Sequence, residues 1–592
     1  MAKFPSVQSV LLASQKTISR FPLETIITVL GTVFAILLSE KKNDADENFY
    51  TKSVMCCSLC LVLFLSISLY FSATKKNRWS QFLTSLILGG LVITFIFSFS
   101  EKITNVEALQ FLVLNIALHL LVSFSAFISK IYNQEEFWEF NKQLFLNILT
   151  AGLYSFALSS GLALAILAVH HLFNVEFYDK IYLHLFFIIA GIFNTIFFLS
   201  GVPKTNIEST PLTLNYPKGL KNFTQYVLLP LISIYLVILI CYEAKILVTL
   251  SLPVGWVSNL VLVFAIFGIL SFLLVHPIAE ETGNLWMRTF NRWFYYLLVP
   301  LLGLLFWAIL YRIQLYGFTH ERYYVFALSI WLTIVVAYFI IKKEPQIKFI
   351  PITMCITALL TILGPQSADT ISKNSQLSRF ESYLQKKEKL TFEQEQELSS
   401  IVDFLAENYG PQVLLPFTKD KLTAQIKKNK NLNSYQIMEA LGLDYQSQYD
   451  QKSKNNKEYF YDFYEKNNQN IENIQGYDVS FSILDNKNLE CNECITIDNK
   501  SYSIISTKKE YGVDLKINQD IVPLKIVNFV NQTPAFNYNE NWKQKITQKI
   551  ESAKYTILIS YINVSGERKG NKKTVNQFQI KILLKIKKAF EK

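Results

Sequence analysis

Between two long apolar runs, the stretch "HPIAEETGNLWMRTFNRWFYY" (His276 to Tyr296) gathers a histidine, two glutamates, two arginines and two tryptophans. If residues 281–292 are helical, Glu281, Arg288 and Arg292 share one face and Trp286 and Trp293 another. The first set could hold an anionic group or pair internally. The second has the composition of an interfacial aromatic belt. Arg and Trp at a span boundary are also ordinary anchors, so the expectation is a cytoplasmic turn whose arginines reach lipid headgroups. Gly283 and Asn284 could break the helix and spoil the alignment with Glu281. Should the arginines form a reaction centre instead, Glu280, Glu281 and His276 are the next residues to implicate.

Other groups with chemical potential are scattered. Glu243 and Lys245 in "YEAKI" could form an ion pair at the outer end of the seventh apolar run. Glu24 lies just inside the first run, and His119 and His184 lie within later ones. Ionisable groups at depth are costly and suggest function, but the cost falls near a span's end, and a lone histidine is more often a packing residue. "CNEC" supplies Cys491 and Cys494. A zinc site wants four ligands, and the tail has no histidine and no further cysteine. A thioredoxin-type site wants its first cysteine at a helix N-terminus, whereas "ITI" reads as strand. A local disulfide, if the tail is extracytoplasmic, and two ordinary thiols both stay open. The other five cysteines lie in apolar runs, where cysteine behaves as a small hydrophobe. No P-loop, dinucleotide fingerprint, nucleophile elbow or HExxH is present, so no cofactor or metal is expected.

The elements that would position these groups follow from composition. Of 592 residues, 51% are hydrophobic and 17% charged, against about 25% charged in soluble domains. The net charge of +11 is spread over loops and a mixed-charge tail rather than concentrated on a basic face, which argues against nucleic acid as a partner. A membrane-crossing helix needs roughly 20 apolar residues. Eleven candidates lie near 22–39, 53–73, 81–99, 107–129, 143–169, 181–200, 223–242, 256–275, 293–312, 323–341 and 347–363. The first shows no cleavage pattern and reads as a retained span. Sixteen flanking Lys and Arg fall on the side of the N-terminus and ten on the other. That bias puts the N-terminus in the cytoplasm and the tail outside.

The expected architecture is an α-helical polytopic membrane domain over 1–365, a helical linker or subdomain over 366–455, and a strand-rich soluble domain over 456–592, giving an α+β tail. "TFEQ" marks a helix start at Thr391 with Gln394 in the capping-box position, and "LNSYQIMEALGL" a further short helix. "YDVSFSILD", "CITIDNKSYSIIST", "VDLKI", "VPLKIVNFV", "YTILISYINVS" and "FQIKILLKI" read as strands. "NWKQKITQKIESA" reads as a helix crossing them.

The segments "NYPKGLKNFTQYVLLPLISIYLVILICYEAKI", "LPVGWVSNLVLVFAIFGILSFLLVHPI" and "FNRWFYYLLVPLLGLLFWAILYRIQLYGFTHERYYVFALSIWL" resemble the domain of unknown function 4153 family, integral membrane proteins common in Bacteroidota. The resemblance runs on through "KFIPITMCITALLTILGPQSADTISKNSQLSRFESYL", covers roughly residues 15–400, and includes a "YGxTxxRYY" pattern with Tyr316, Gly317, Arg322 and Tyr323. It implies a multi-span inner-membrane protein and transfers no catalytic residue. The expected function is a non-enzymatic envelope sensor, scaffold or transport component with an exported tail, with membrane lipids and envelope proteins as partners. A lipid-linked glycosyltransferase using Asp44, Asp46 and Glu47 of "NDADE" is an alternative, as is a secondary transporter.

Overall fold

Backbone groups in lipid must be paired within the segment that carries them, and the described apolar runs of the chain are helical. The computed structural model describes residues 7–41, 44–74, 76–128, 134–204, 214–249, 256–278, 285–386, 388–417, 432–447, 458–463, 473–485, 489–532, 547–569 and 572–587. The chain forms two compact units, Met1–Gln448 and Tyr449–Lys592.

The first unit opens with α1 (Val7–Arg20) and continues through α2 (Pro22–Ser39), α3 (Asp44–Thr74), α4 (Arg78–Phe97), α5 (Asn105–Ser125) and α6 (Gln134–Phe173). Next come α7 (Ile181–Ser200) and α8 (Lys218–Thr249), each with a π-helical turn. Then follow α9 (Trp256–Val275), α10 (Leu285–Tyr316), α11 (His320–Ile341) and α12 (Phe349–Ile362). Among the described residues ten helices are long and apolar enough to cross a membrane, and α12 is a shorter apolar helix. Helices in lipid approach closely where residues are small: a Cβ on Gly191 of α7 would stand 2.2 Å from Oγ1 of Thr32 on α2.

At 14 residues, α12 rises only about 21 Å. It nevertheless carries the chain back along α11. Tyr338, near the end of α11, stacks on Phe349 at 3.8 Å and accepts a hydrogen bond from Gln346 N. Tyr323, near the start of α11, donates to Gln366 O just beyond α12. One face of the short helix packs on protein: Ile350, Pro351, Cys355, Ala358 and Thr361 are buried, and the Cys355 thiol reaches Ala117 O of α5, while Ile356 and Leu360 on the other face are exposed. Among the described residues the bundle thus has ten candidate spans and one shorter apolar helix packed antiparallel to α11.

Helices α13 (Ala368–Leu384), α14 (Phe392–Tyr409) and α15 (Ser434–Ala440) complete this unit around Phe380, Leu398, Val402 and Met438. The Thr391–Gln394 capping box forms as the sequence implies, and Asn433–Gln436 makes a second one.

The second unit holds two antiparallel sheets. The first runs β1 (Glu458–Phe463), β8 (Tyr555–Lys569), β10 (Gln577–Ile586), β2 (Val479–Leu484), with β7 (Gln548–Glu551) and β9 (Lys572–Lys573) paired to β8. The second is the meander β3 (Glu490–Ile497), β4 (Lys500–Lys509), β5 (Gly512–Ile517), β6 (Asp520–Leu524). Both contribute to one core that includes Ile504, Leu515, Ile557 and Ile580. Asp498 and Asn499 both adopt positive φ between β3 and β4, the backbone of a tight hairpin turn. Two expectations change. "VPLKIVNFV" is strand only through Leu524, and Ile526–Gln532 is a helix, α16, that buries Ile526, Phe529 and Val530. The end of "NWKQKITQKIESA" is not helix but strand β7, which lays Ile550 opposite Ile557.

Candidate functional site

A helix end leaves carbonyls without partners, and at the end of α10 side chains from two other helices supply them. Arg322 of α11 donates through Nη1 to Tyr316 O at 3.1 Å and Gly317 O at 3.0 Å. From α13, Arg379 donates to Leu315 O at 2.6 Å, and Gln376 to Tyr316 O at 3.0 Å and Phe318 O at 2.7 Å. Ser375 accepts from Phe318 N at 2.9 Å. Gly317 has φ +69°, and a Cβ there would come within 2.7 Å of Arg379 Cδ. Both the conformation and the close approach require glycine. The "YGxTxxRYY" pattern is therefore a socket for α13.

A second set locks α14 to the same turn. His320, buried at the start of α11, places Nε2 3.0 Å from the Tyr409 hydroxyl and 3.7 Å from Asp369 Oδ1. Tyr409 donates its one hydrogen to Asp369 O at 3.1 Å, so the histidine contact requires Nε2 to be the donor. The close approach of the His320 imidazole holds the Asp369 carboxyl below its usual range. Burial first, and Asp369 second, push the Tyr409 phenol upward. The Phe404 ring lies 5.2 Å from the imidazole. With both hydrogens committed, the group works as a clamp between the membrane helices and α13–α14.

At the opposite ends of the spans a further network joins distant segments. Glu139 of α6 binds Lys142, Gln143 and Asn215 N at 2.7–3.0 Å. Trp138 stacks on Tyr216 at 5.1 Å and donates to Leu273 O. Tyr216 belongs to the resemblance pattern; Glu139, Lys142 and Trp138 carry no signal in sequence beyond lying just ahead of a long apolar run. Deeper in the bundle Glu24 is fully buried and accepts from Ser68, which in turn accepts from Gln81. Beside it Arg20 donates to Val202 O and Pro203 O.

The other sequence candidates are not brought together. Helix α10 begins at Leu285, while Glu280 and Glu281 lie outside the described residues, as do the side chains of Trp286 and Arg292. Arg288 is exposed and Trp293 is 54% exposed on α10. His276 packs its ring on Phe272. Glu243 and Lys245 stand two positions apart on one helix, where side chains do not face each other, and no ion pair joins them among the described residues. Cys491 and Cys494 are joined as a disulfide within β3, with Cα atoms 5.5 Å apart. His184 contacts Glu40 at 2.9 Å and Ser39 at 3.1 Å, and His119 faces its own helix carbonyl at Asn115. Asp46 is exposed and Glu47 pairs with Lys41; the side chain of Asp44 lies outside the described residues. Among the described residues no cluster of three or more His, Cys, Asp or Glu could hold a metal. A groove of about 830 Å³ opens by Ile334, Tyr338, Ile341, Lys342 and Phe349, at the far end of α11 from the socket.

A profile described as a domain of unknown function, DUF4153, matches residues 24–400. An uncharacterized protein of Pasteurella multocida is 24% identical over 430 residues, 70% of this chain and 66% of that protein. The chain thus spans just under two thirds of that relative. No solved structure matches. The socket and clamp both fall largely within the matched residues, and with ten apolar candidate spans among the described residues ahead of its sheets the chain belongs to the domain of unknown function 4153 family, as a multi-pass membrane protein.

Proposed function

We propose that the protein is a non-enzymatic envelope scaffold or sensor of the bacterial inner membrane, with a cytoplasmic N-terminus and an exported tail. The carrying observation is the socket and clamp: side chains of α13 and α14 are fixed to the turn between two spans by Gln376, Arg379 and Tyr409. A displacement of α10 against α11 is thereby passed to the helices that lead into the tail. The sixteen-to-ten bias of flanking basic residues supports the orientation. Exposed Arg288 and Trp293 at the start of α10 suit contact with lipid headgroups.

Two measurements on the full-length protein test this reading. Replacing Ser375 with Ala and Gln376 with Leu together should speed amide exchange in α13 by about tenfold or more, the effect of losing about 1.5 kcal/mol of local protection, while α3 and α5 stay unchanged. In a deletion strain, Asp46→Asn with Glu47→Gln should complement as the natural chain does. Loss of complementation with normal expression would favour the glycosyltransferase.

A further inference from the structure

Arg312 lies on α10 one turn before Tyr316. Its Nε is buried without a hydrogen-bond partner, and among the described residues its guanidinium makes no hydrogen bond or ion pair. Its charged neighbours deepen the problem. Arg322 lies within electrostatic reach of both Arg312 and Arg379. Glu321 also lies within electrostatic reach of Arg322 but makes no ion pair with it among the described residues, and Glu397 is engaged by Arg379 at 3.2 Å and by Tyr383. The end-of-helix carbonyls of Leu315, Tyr316 and Gly317, which could have soothed a lone cation, are taken by Arg379, Gln376 and Arg322. Arg322 spends only Nη1 on them, and its Nε and Nη2 edge makes no hydrogen bond among the described residues.

A guanidinium does not shed its proton in a protein. Arginine at a span is costly unless paired, and two arginines side by side add repulsion to that cost. A helix C-terminus favours a nearby cation only weakly and within its last turn, and here its carbonyls are already used. The missing component is an anion. We propose that Arg312 and Arg322 hold a phosphoryl oxyanion, with Arg379 adding positive potential and closing the site on the side of α13. The planar forks of two guanidiniums match phosphate oxygens in pairs. A phosphate ester of a lipid headgroup and free inorganic phosphate share this chemistry. The position of Arg312 at the end of a membrane-crossing helix favours the headgroup. The site does not depend on the scaffold reading: a transporter or a transferase built on this bundle would carry it equally.

The test uses the full-length protein in an uncharged detergent, stripped of lipid. Its arginines are labelled with phenylglyoxal and read by peptide mass spectrometry. The probes are dioctanoyl phosphatidylglycerol, sodium phosphate, and dioctanoylglycerol as the lipid lacking phosphate. At about four times Kd, the phosphatidylglycerol should cut labelling of Arg312 and Arg322 about fivefold, following the unoccupied fraction, and dioctanoylglycerol should not. Protection by sodium phosphate alone at similar concentration would assign the site to free phosphate. Arg312→Gln should weaken binding of the protecting probe by about tenfold or more, and Lys245→Gln should leave it unchanged. Unchanged labelling with both phosphate-bearing probes would overturn the proposal, as would an Arg312→Gln protein that binds as tightly as the natural chain. If that variant fails to fold, the labelling of the natural protein decides alone.

Discussion

Asp369 shows how single residues act at the junction. His320 holds its carboxyl below the usual range, so the folded state binds a proton less readily than the unfolded chain. The stabilisation is fully present above the ordinary aspartate value of about 3.9 and is lost as pH falls through the lower folded value. Asp369→Asn should therefore flatten the acid limb of thermal stability in detergent and leave the neutral limb's slope unchanged. An identical acid limb in both proteins would mean that the carboxylate is not coupled to His320. None of this pairing was legible in sequence. His320 and Tyr409 are 89 positions apart and Glu139 and Asn215 are 76 apart, and a linear chain carries no mark of which polar groups will meet. In the resemblance pattern His320 and Glu321 occupied the two variable positions, which hid the clamp. Glu243 and Lys245, by contrast, could have been separated by arithmetic: a two-residue step on a helix turns the side chains apart.

Elements were legible where period and punctuation agreed. The capping residues Thr391 and Gln394 announced α14. The exceptions were short apolar runs. In "VPLKIVNFV" the buried positions Ile526, Phe529 and Val530 follow three- and four-residue steps, yet a run of that length also fits a strand, and period alone does not separate the two. In "NWKQKITQKIESA" the nearby turn Ser552–Tyr555 folds Ile550 onto β8, and sheet pairing overrides helix propensity. The socket gives the sharpest element-level prediction. Gly317→Val combines a disfavoured positive φ with a clash against Arg379. It should destabilise the first unit by about 1–3 kcal/mol and raise amide exchange in α13 before that in α5. A change below about 0.5 kcal/mol, the range of an ordinary surface substitution, would show that the turn does not hold α13.

At the scale of the whole molecule, the membrane class followed from composition and the passes from run length. What sequence left weakest was the last pass, because α12 is short and begins around Pro351. Its packing along α11 is secured by neighbours instead: Tyr338 and Gln346 at one end of α11, Tyr323 and Gln366 at the other. If α12 crosses, the number of passes is odd, and with the basic-residue bias the proposed orientation puts the tail outside. The most direct measurement is a pair of reporters fused after Lys592 in intact cells, one active only in the cytoplasm and one active only beyond it. Eleven passes from a cytoplasmic N-terminus predict that only the second is active. Activity of the first alone would contradict the orientation, and with it the exported tail.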